Sequence, residues 1–165
     1  MPEAKTERRW WRVSGRTLKI GVLGAVVLLV LIQLVPYGHA HSNPPVTRAA
    51  HWPPGPGRQI AEAGCYDCHS NLTSWRWYSN VAPASWLVTH DVEDGRSALD
   101  FSEWDKPQPD AGELKEKVES GEMPPLQYRL VHPSASLSAT EKKQLVAAIT
   151  RLYASDPPPP GGGGG

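Results

Sequence analysis

The sequence predicts an all-α protein in which one helical domain follows a single transmembrane helix. Three observations support this fold class. An apolar run near the N-terminus has nearly the length of a helix that crosses a bilayer. Behind that run, apolar residues recur at helical spacing between residues typical of helix starts and ends. The 17 prolines and 15 glycines point to sizeable segments outside the helices, and signals for β-strands are weaker throughout.

The apolar run covers residues 20–35, IGVLGAVVLLVLIQLV, and Gln33 is its only strongly polar residue. As a helix it spans about 24 Å, whereas a hydrocarbon core is about 30 Å thick, so we predict a transmembrane anchor over residues 20–37. Six of the 17 basic side chains lie in residues 1–19. We expect these residues to form a cytoplasmic basic segment, with the domain outside the cell membrane. A cleaved signal peptide is the alternative, because Gly38 and Ala40 offer small residues to a peptidase.

Two segments without helical patterns flank the domain, which is predicted at residues 58–155. Residues 38–57 are rich in proline, and we predict an extended, semi-rigid linker that forms a stalk between membrane and domain. Residues 156–165, DPPPPGGGGG, have no apolar side chain to bury, and we predict a disordered tail.

Four helices are predicted within the domain. The first covers residues 59–67, and the second runs from Pro83 to about residue 99. Asp110 begins the third helix, Gly121 ends it, and Ser138 begins the fourth. One face of the fourth helix carries the stripe expected to pack on a core: Leu145, Val146, Ile149, Leu152 and Tyr153. Because four short helices bury little surface, a large apolar cofactor would help to fill the core.

The only two cysteines are Cys65 and Cys68, in the segment CYDCHSN, and His69 follows them directly. One helical turn separates the thiols, so both can reach the same edge of a planar ligand. The pattern is typical of covalent haem c, with two thioether bonds and His69 as the proximal iron ligand. A structural zinc site needs four ligands, and only the isolated His90 and His132 would complete it. A thioredoxin-like dithiol would need a βαβ context that the sequence does not supply.

Met123 is the predicted second iron ligand. It is the only methionine apart from the initiator, and it lies in SGEMPPLQY. Pro124 favours an extended conformation for Met123, so the thioether lies on a stiff loop that can approach a flat ligand from the face opposite His69. His90 and His132 compete for this position.

Three aromatic residues near the cysteines in sequence are predicted to bind the cofactor as a wall of its pocket: Trp77, Tyr78 and Trp86. Most of the other tryptophans are expected to pack in the core. Arg96 and Arg129 are candidates for pairing with haem propionates, and a role as surface charges explains them equally well.

The predicted domain is acidic. From residue 91 to residue 122, eleven side chains are acidic and four are basic. Because the domain lacks a basic footprint, we expect no role in binding nucleic acid. A solvated surface explains the acidic stretch, and the sharper hypothesis is a docking surface that steers a basic redox partner.

Segments spread over the whole domain resemble the bacterial haem-binding domain family, a group of small single-haem c-type cytochromes. The resemblance is carried by CYDCHSN (65–71), WYSNVAPASWL (77–87), DVEDGRSALDFSEW (91–104), GEMPP (121–125) and HPSASLSATE (132–141). It implies a cytochrome c-like fold around one covalent haem, to which Cys65 and Cys68 are attached. It also implies that His69 is the proximal ligand and Met123 the distal one.

Two residues depart from the family pattern. Arg76 and Asp100 stand where a proline and an asparagine are more usual, and neither is expected to touch the iron. We therefore expect a membrane-anchored monohaem c-type cytochrome that carries single electrons outside the cytoplasmic membrane. It is not expected to be an enzyme, and its expected partners are redox proteins such as a respiratory complex. Open alternatives are a haem-based sensor or peroxidase-like enzyme with an exchangeable distal ligand, and a haem-bearing accessory subunit of a larger membrane complex.

Overall fold

The computed structural model describes residues 14–161. The chain divides into two compact units, of which the first ends at Pro36 and the second begins at Tyr37. Residues 1–13 of the predicted cytoplasmic segment and residues 162–165 of the predicted tail lie outside the described residues.

The first unit contains one apolar helix, α1 (Gly15–Ile32). Ser14 caps its start, because the Ser14 Oγ accepts a hydrogen bond from the backbone N–H of Thr17 at 3.2 Å. The helix begins before the predicted residue 20. It also ends before the predicted residue 37, since Pro36 has no N–H to donate to the carbonyl of Ile32. α1 is long and apolar enough to cross a membrane, a property that a signal sequence near the N-terminus shares.

The second unit is helical. Between residues 37 and 161 no β-strand forms, and the backbone pairs only in isolated bridges, Arg48 with Glu103 and Gln108 with Pro160. Its elements in chain order are α2 (Gly57–Gly64), a 3₁₀ turn (Trp77–Asn80), α3 (Ala84–Ala98), α4 (Ala111–Ser120), α5 (Leu126–Val131), a second 3₁₀ turn (Pro133–Ala135) and α6 (Ala139–Ser155). The helical part of the predicted fold class is confirmed.

The predicted starts of α4 and α6 are confirmed by their caps. The carboxylate of Asp110 accepts hydrogen bonds from the second and third backbone N–H groups of α4, at 2.6 and 3.0 Å. Ser138 and Glu141 form a reciprocal capping box, in which each side chain accepts a bond from the other's backbone N–H. Gly121 ends α4 with a φ of 79°, a left-handed conformation that glycine adopts easily.

Other boundaries differ from the prediction. α2 ends at Gly64 rather than at residue 67, so both cysteines follow the helix instead of ending it. The first 3₁₀ turn and α5 are not predicted by the sequence patterns. Both are too short for a periodic apolar stripe, and α5 buries none of its residues.

α6 is central to the core of the second unit, since α2 and α4 both pack against it. The stripe predicted on α6 is confirmed, with Leu145, Ile149 and Leu152 buried and Val146 and Tyr153 packed against the core. Gly57 allows α2 to approach α6 closely, because a Cβ at this position would lie 2.1 Å from the Cβ of Ala148.

The proline-rich segment predicted as a stalk lies against the helices of the second unit. The backbone N–H of Ala50 donates to the carbonyl of Phe101 at 2.8 Å. The Asn71 side chain donates to the carbonyl of Pro45 at 3.1 Å. The structure therefore corrects the prediction of a free stalk over residues 38–57. The segment is extended, but its backbone groups find partners in loops that follow far along the chain.

The tail predicted to be disordered also makes hydrogen bonds to the rest of the second unit, as far as residue 161. The Trp104 Nε1 donates to the carbonyl of Asp156 at 2.8 Å, and the Asp156 carboxylate pairs with Arg48. The Gln108 N–H donates to the carbonyl of Pro159 at 3.0 Å. Trp104 is fully buried, so the tail closes over a core residue rather than extending into solvent.

Asp156→Ala tests whether the tail stabilises the second unit. The change removes the carboxylate that accepts the backbone N–H of His51 at 2.9 Å and pairs with Arg48. We expect the free energy of unfolding to fall by about 1–3 kcal/mol. The measurement is urea denaturation of the full chain in detergent, followed by circular dichroism.

Glu62→Ala is the matched control for that change. Glu62 pairs with Arg58 one helical turn away on the exposed side of α2, at 2.7 Å. Such a pair contributes about 0.5 kcal/mol or less. An Asp156→Ala effect no larger than that of Glu62→Ala would contradict a stabilising role of the tail.

Candidate functional site

A cavity of about 460 Å³ lies within the second unit and is bounded by residues of all five of its α-helices. Most of its wall is apolar, and the apolar side chains that line it include Trp52, Leu99, Phe101, Leu114, Val118, Leu145 and Ile149. Protein interiors are otherwise closely packed. Sites for cofactors and other small ligands measure about 300–1,000 Å³, so this cavity is the candidate binding site.

The cysteine segment reaches the cavity through a tight turn at the end of α2. The N–H of Cys65 donates to the carbonyl of Ala61 at 2.7 Å, and the N–H of His69 donates to the carbonyl of Cys65 at 2.8 Å. Both thiols and the imidazole line the cavity as a result. α3 packs on this turn at Gly95, where a Cβ would lie 2.5 Å from the carbonyl oxygen of Cys68.

His69 is held by carbonyl groups of α3. Its Nδ1 lies 2.9 Å from the carbonyl oxygen of Gly95 and 3.1 Å from that of Leu99. A nitrogen that faces two carbonyls carries the proton, so the lone pair is on Nε2, which makes no hydrogen bond among the described residues. Burial lowers the pKa of His69, which keeps the imidazole neutral. This is the pattern of a metal-binding histidine oriented by a backbone acceptor.

The surroundings of the two cysteines argue against a redox dithiol and against a zinc site. Burial raises the pKa of Cys65 and of Cys68 to about 12, so both thiols are protonated at neutral pH. Thiols that exchange disulfides have a lowered pKa, and this pair is therefore unsuited to dithiol chemistry. Within the described ranges, no three His, Cys, Asp or Glu side chains are grouped so as to hold a metal ion, which disfavours zinc.

Met123 lies on the same cavity as the cysteines and His69. Its N–H donates to the carbonyl of Lys117 at 3.0 Å, which ties the loop to the end of α4. The competing histidines do not line the cavity. His90 is exposed and lies 3.4 Å from the Asp94 carboxylate, and His132 lies 2.9 Å from the Tyr78 hydroxyl.

The three aromatic residues predicted as a pocket wall do not line the cavity. Trp77 is 79% exposed, and the Tyr78 hydroxyl bonds to His132. The Trp86 ring packs near Gly38. The aromatic side chains that do line the cavity are Trp52, Phe101 and Tyr128.

Sequence reasoning missed these three because of where they lie along the chain. Trp52 is in the segment assigned to the linker, and Tyr128 is on the short helix that has no periodic pattern. The only phenylalanine, Phe101, was a usable signal, because a single large apolar residue after a predicted helix is a good core candidate. Arg96, predicted as a propionate partner, instead donates to the carbonyls of Ser70 and Ser42.

Carboxylates from two separate segments meet at the cavity. Asp91 and Asp94 of α3 line it together with Glu113 of α4 and the following Glu122, whereas Lys117 is the only basic residue among the lining residues. Lys117 pairs with Glu122 at 2.7 Å. The surroundings of the apolar cavity are therefore net acidic.

Asp67, between the two cysteines, is bonded to α5. The Tyr128 hydroxyl donates to its carboxylate at 2.8 Å, and the Ser74 N–H donates to its other oxygen at 2.9 Å. Burial, followed by the bond to Asp67, raises the pKa of Tyr128, so this tyrosine remains a donor at any physiological pH. The bond fixes the segment that carries Met123 to the cysteine turn.

A family model described as a haem-binding domain matches residues 27–151. The match includes both cysteines, His69, Met123 and every residue that lines the cavity. No curated protein and no solved structure matches the chain.

The lowered pKa of His69 predicts that protein prepared without cofactor is less stable at acidic pH. Burial lowers this pKa from its ordinary value of 6.5, so below that pH the unfolded chain binds a proton that the folded state excludes. We expect the free energy of unfolding to fall as the pH falls below about 6.5. His69→Gln should reduce this fall, and urea titrations between mildly alkaline and mildly acidic pH measure it.

His90→Gln is the control, because His90 is exposed on α3. Carboxylates such as Asp91, whose pKa burial raises, oppose the histidine effect, so the comparison is made between each variant and the wild type. Identical pH profiles for wild type and His69→Gln would contradict a buried, neutral His69.

Proposed function

Because the chain belongs to the haem-binding domain family, we propose that it is a membrane-anchored monohaem c-type cytochrome that carries single electrons outside the cytoplasmic membrane. One observation carries this proposal. Two thiols and the imidazole that directly follows them, with a free Nε2, line one apolar cavity of cofactor size together with a thioether from a distant part of the chain.

Each donor has a role in holding one haem c. Cys65 and Cys68 would form the two thioether bonds, His69 would bind the iron through Nε2, and Met123 would be the distal ligand. The bound haem supplies one-electron exchange at its iron. The apolar walls exclude water, and the carbonyls of α3 keep the imidazole in one tautomer and orientation.

The membrane location is part of the proposal. It is supported by the apolar helix α1 and by the six basic side chains in residues 1–19, which favour a cytoplasmic N-terminus. The haem domain would then be extracytoplasmic. The acidic residues around the cavity suit a redox partner with a basic docking surface, such as a subunit of a respiratory complex.

A haem-based sensor or peroxidase-like enzyme is the second candidate, and one observation favours it. α5 directly follows the loop of Met123, and none of its residues is buried. A segment with so little buried surface depends on few contacts, chiefly the bond of Tyr128 to Asp67, and opens once that bond is broken. If Met123 left the iron easily, the distal position would accept an external ligand.

Covalent attachment is tested by changing both Cys65 and Cys68 to serine in chain exported by a bacterium that matures c-type cytochromes. We expect the wild type to keep its haem through denaturing electrophoresis and the double variant to lose it completely. An in-gel haem stain and a pyridine haemochrome spectrum provide the measurement. Ser97→Ala, on the exposed side of α3, is the control. A wild type without covalent haem would rule out the c-type proposal.

The role of Met123 is tested by Met123→Leu, which conserves volume and should lower stability by less than about 1.5 kcal/mol. We expect the ferric protein to lose the methionine–iron charge-transfer band, the reduction potential to fall, and added imidazole to bind more readily. Absorption spectra and a redox titration measure these changes. Leu114→Ile, on the same cavity wall, should alter none of them. A wild type that lacks the band would favour the sensor or enzyme.

A further inference from the structure

The guanidinium group of Arg96 binds the loop that carries His69. Its Nε donates to the carbonyl of Ser70 at 2.9 Å, and its Nη2 donates to the hydroxyl of Thr73 at 2.7 Å. The same hydroxyl donates to the carbonyl of Asp67 at 2.8 Å. Arg96 is therefore connected to the backbone before and after His69, once through Thr73 and once directly.

Two further bonds hold the guanidinium group itself in place. Its Nη1 donates to the carbonyl of Ser42 at 3.0 Å, and its Nη2 donates to the side-chain oxygen of Asn43 at 3.0 Å. Asn43 is fixed in turn, because its amide donates to the carbonyl of Thr73 at 2.9 Å and the Trp75 Nε1 donates to its oxygen at 3.1 Å. The donors of an arginine form a rigid planar fork, so these partners define one orientation of the side chain.

The four acceptors of Arg96 are all uncharged. They are two backbone carbonyls, one hydroxyl and one side-chain amide. An arginine that binds a propionate directs its paired donors at a carboxylate, and an arginine that only solvates the surface directs them at water. The half-buried Arg96 directs them at the loop of His69 and at the segment that packs beside this loop.

Arg96 directly follows Gly95, whose carbonyl oxygen lies 2.9 Å from the His69 Nδ1. α3 therefore holds His69 in two ways. The imidazole is bound by the carbonyls of Gly95 and Leu99, and the backbone beside it is bound by Arg96. The bond from the imidazole keeps its direction only while the backbone of His69 stays fixed relative to α3. Such partners behind a metal-binding histidine determine the orientation of its ring.

We propose that Arg96 is a positioning residue that fixes the plane of the His69 imidazole and, through it, the bond of this ligand to the haem iron. Arg96 acts through Ser70 and Thr73, and it is not among the residues that line the cavity. This inference rests on the proposed function, in which His69 is the proximal ligand.

Arg96→Lys in the full-length haem protein tests this role. Lysine keeps the positive charge, but it is a point charge on a flexible stem and does not reproduce the planar fork. We expect the haem methyl signals in the proton NMR spectrum of the ferric protein to shift, because their positions depend on the plane of the axial imidazole. Arg58→Lys is the control, since Arg58 is exposed on α2 and pairs only with Glu62. It should leave these signals in place.

Two substitutions at Thr73 separate ring orientation from general stability. Thr73→Val removes the hydroxyl that connects Arg96 to the carbonyl of Asp67, and it should shift the haem methyl signals as Arg96→Lys does. Thr73→Ser keeps the hydroxyl and should leave them near their wild-type positions. Wild-type signals in Arg96→Lys, whatever its stability, would overturn the proposal. A shift in Thr73→Ser as large as that in Thr73→Val would also overturn it.

Nitrogen-15 NMR of histidine-labelled protein prepared without cofactor separates this proposal from the proposed function. The His69 signals are assigned with the His69→Gln variant. We expect the wild type to show one tautomer, protonated at Nδ1, and Arg96→Lys to show a mixture of both tautomers. Identical His69 signals in the two proteins would reject the positioning role alone. An exported wild type without covalent haem would reject the cytochrome function alone.

Discussion

The contact between the cysteine turn and α3 is the constraint on which the rest of the second unit depends. Gly95 admits the backbone of Cys68 to a distance that no other residue would allow, and its carbonyl also accepts the proton of His69. A displacement of α3 would therefore expose the thiols and release the imidazole in one motion. Because α3 also supplies Asp91 and Asp94, the same contact sets the charge beside the cavity. The contact of α3 with the cysteine turn thus determines the packing of the site, the orientation of His69 and the charge beside the cavity.

The proline-rich segments contribute to the fold through the backbone carbonyl groups of their prolines. Proline cannot donate a backbone hydrogen bond, but its carbonyl accepts one. The carbonyls of Pro45, Pro109 and Pro159 accept bonds from Asn71, Tyr153 and Gln108 respectively. The helices of the second unit are short, and the extended segments supply hydrogen-bond acceptors that connect its loops and helices. Composition alone therefore gives a poor guide to whether such a segment is free or bound.

The sequence predicts those parts of the fold that depend on nearby residues. The starts of α4 and α6 follow from caps within one turn, and the buried stripe of α6 follows from helical periodicity. The cysteine segment and Met123 are recognisable by residue type, and the structure brings them to one cavity. The predicted aromatic wall shows the limit of this reasoning. Trp77 and Trp86 follow the cysteines in sequence but do not line the cavity. Trp52 precedes the cysteines in the segment assigned to the linker and Tyr128 follows them far along the chain, and no local pattern places either at the cavity.

The buried thiols imply an order of events during biogenesis. In the folded unit both side chains line the cavity, but burial raises the pKa of each thiol and disfavours the reactive thiolate. Under the proposed function, attachment is therefore expected to be faster on a chain whose α3 has not yet packed on the cysteine turn. Maturation then depends on whether the secreted chain meets the attachment machinery before that contact forms.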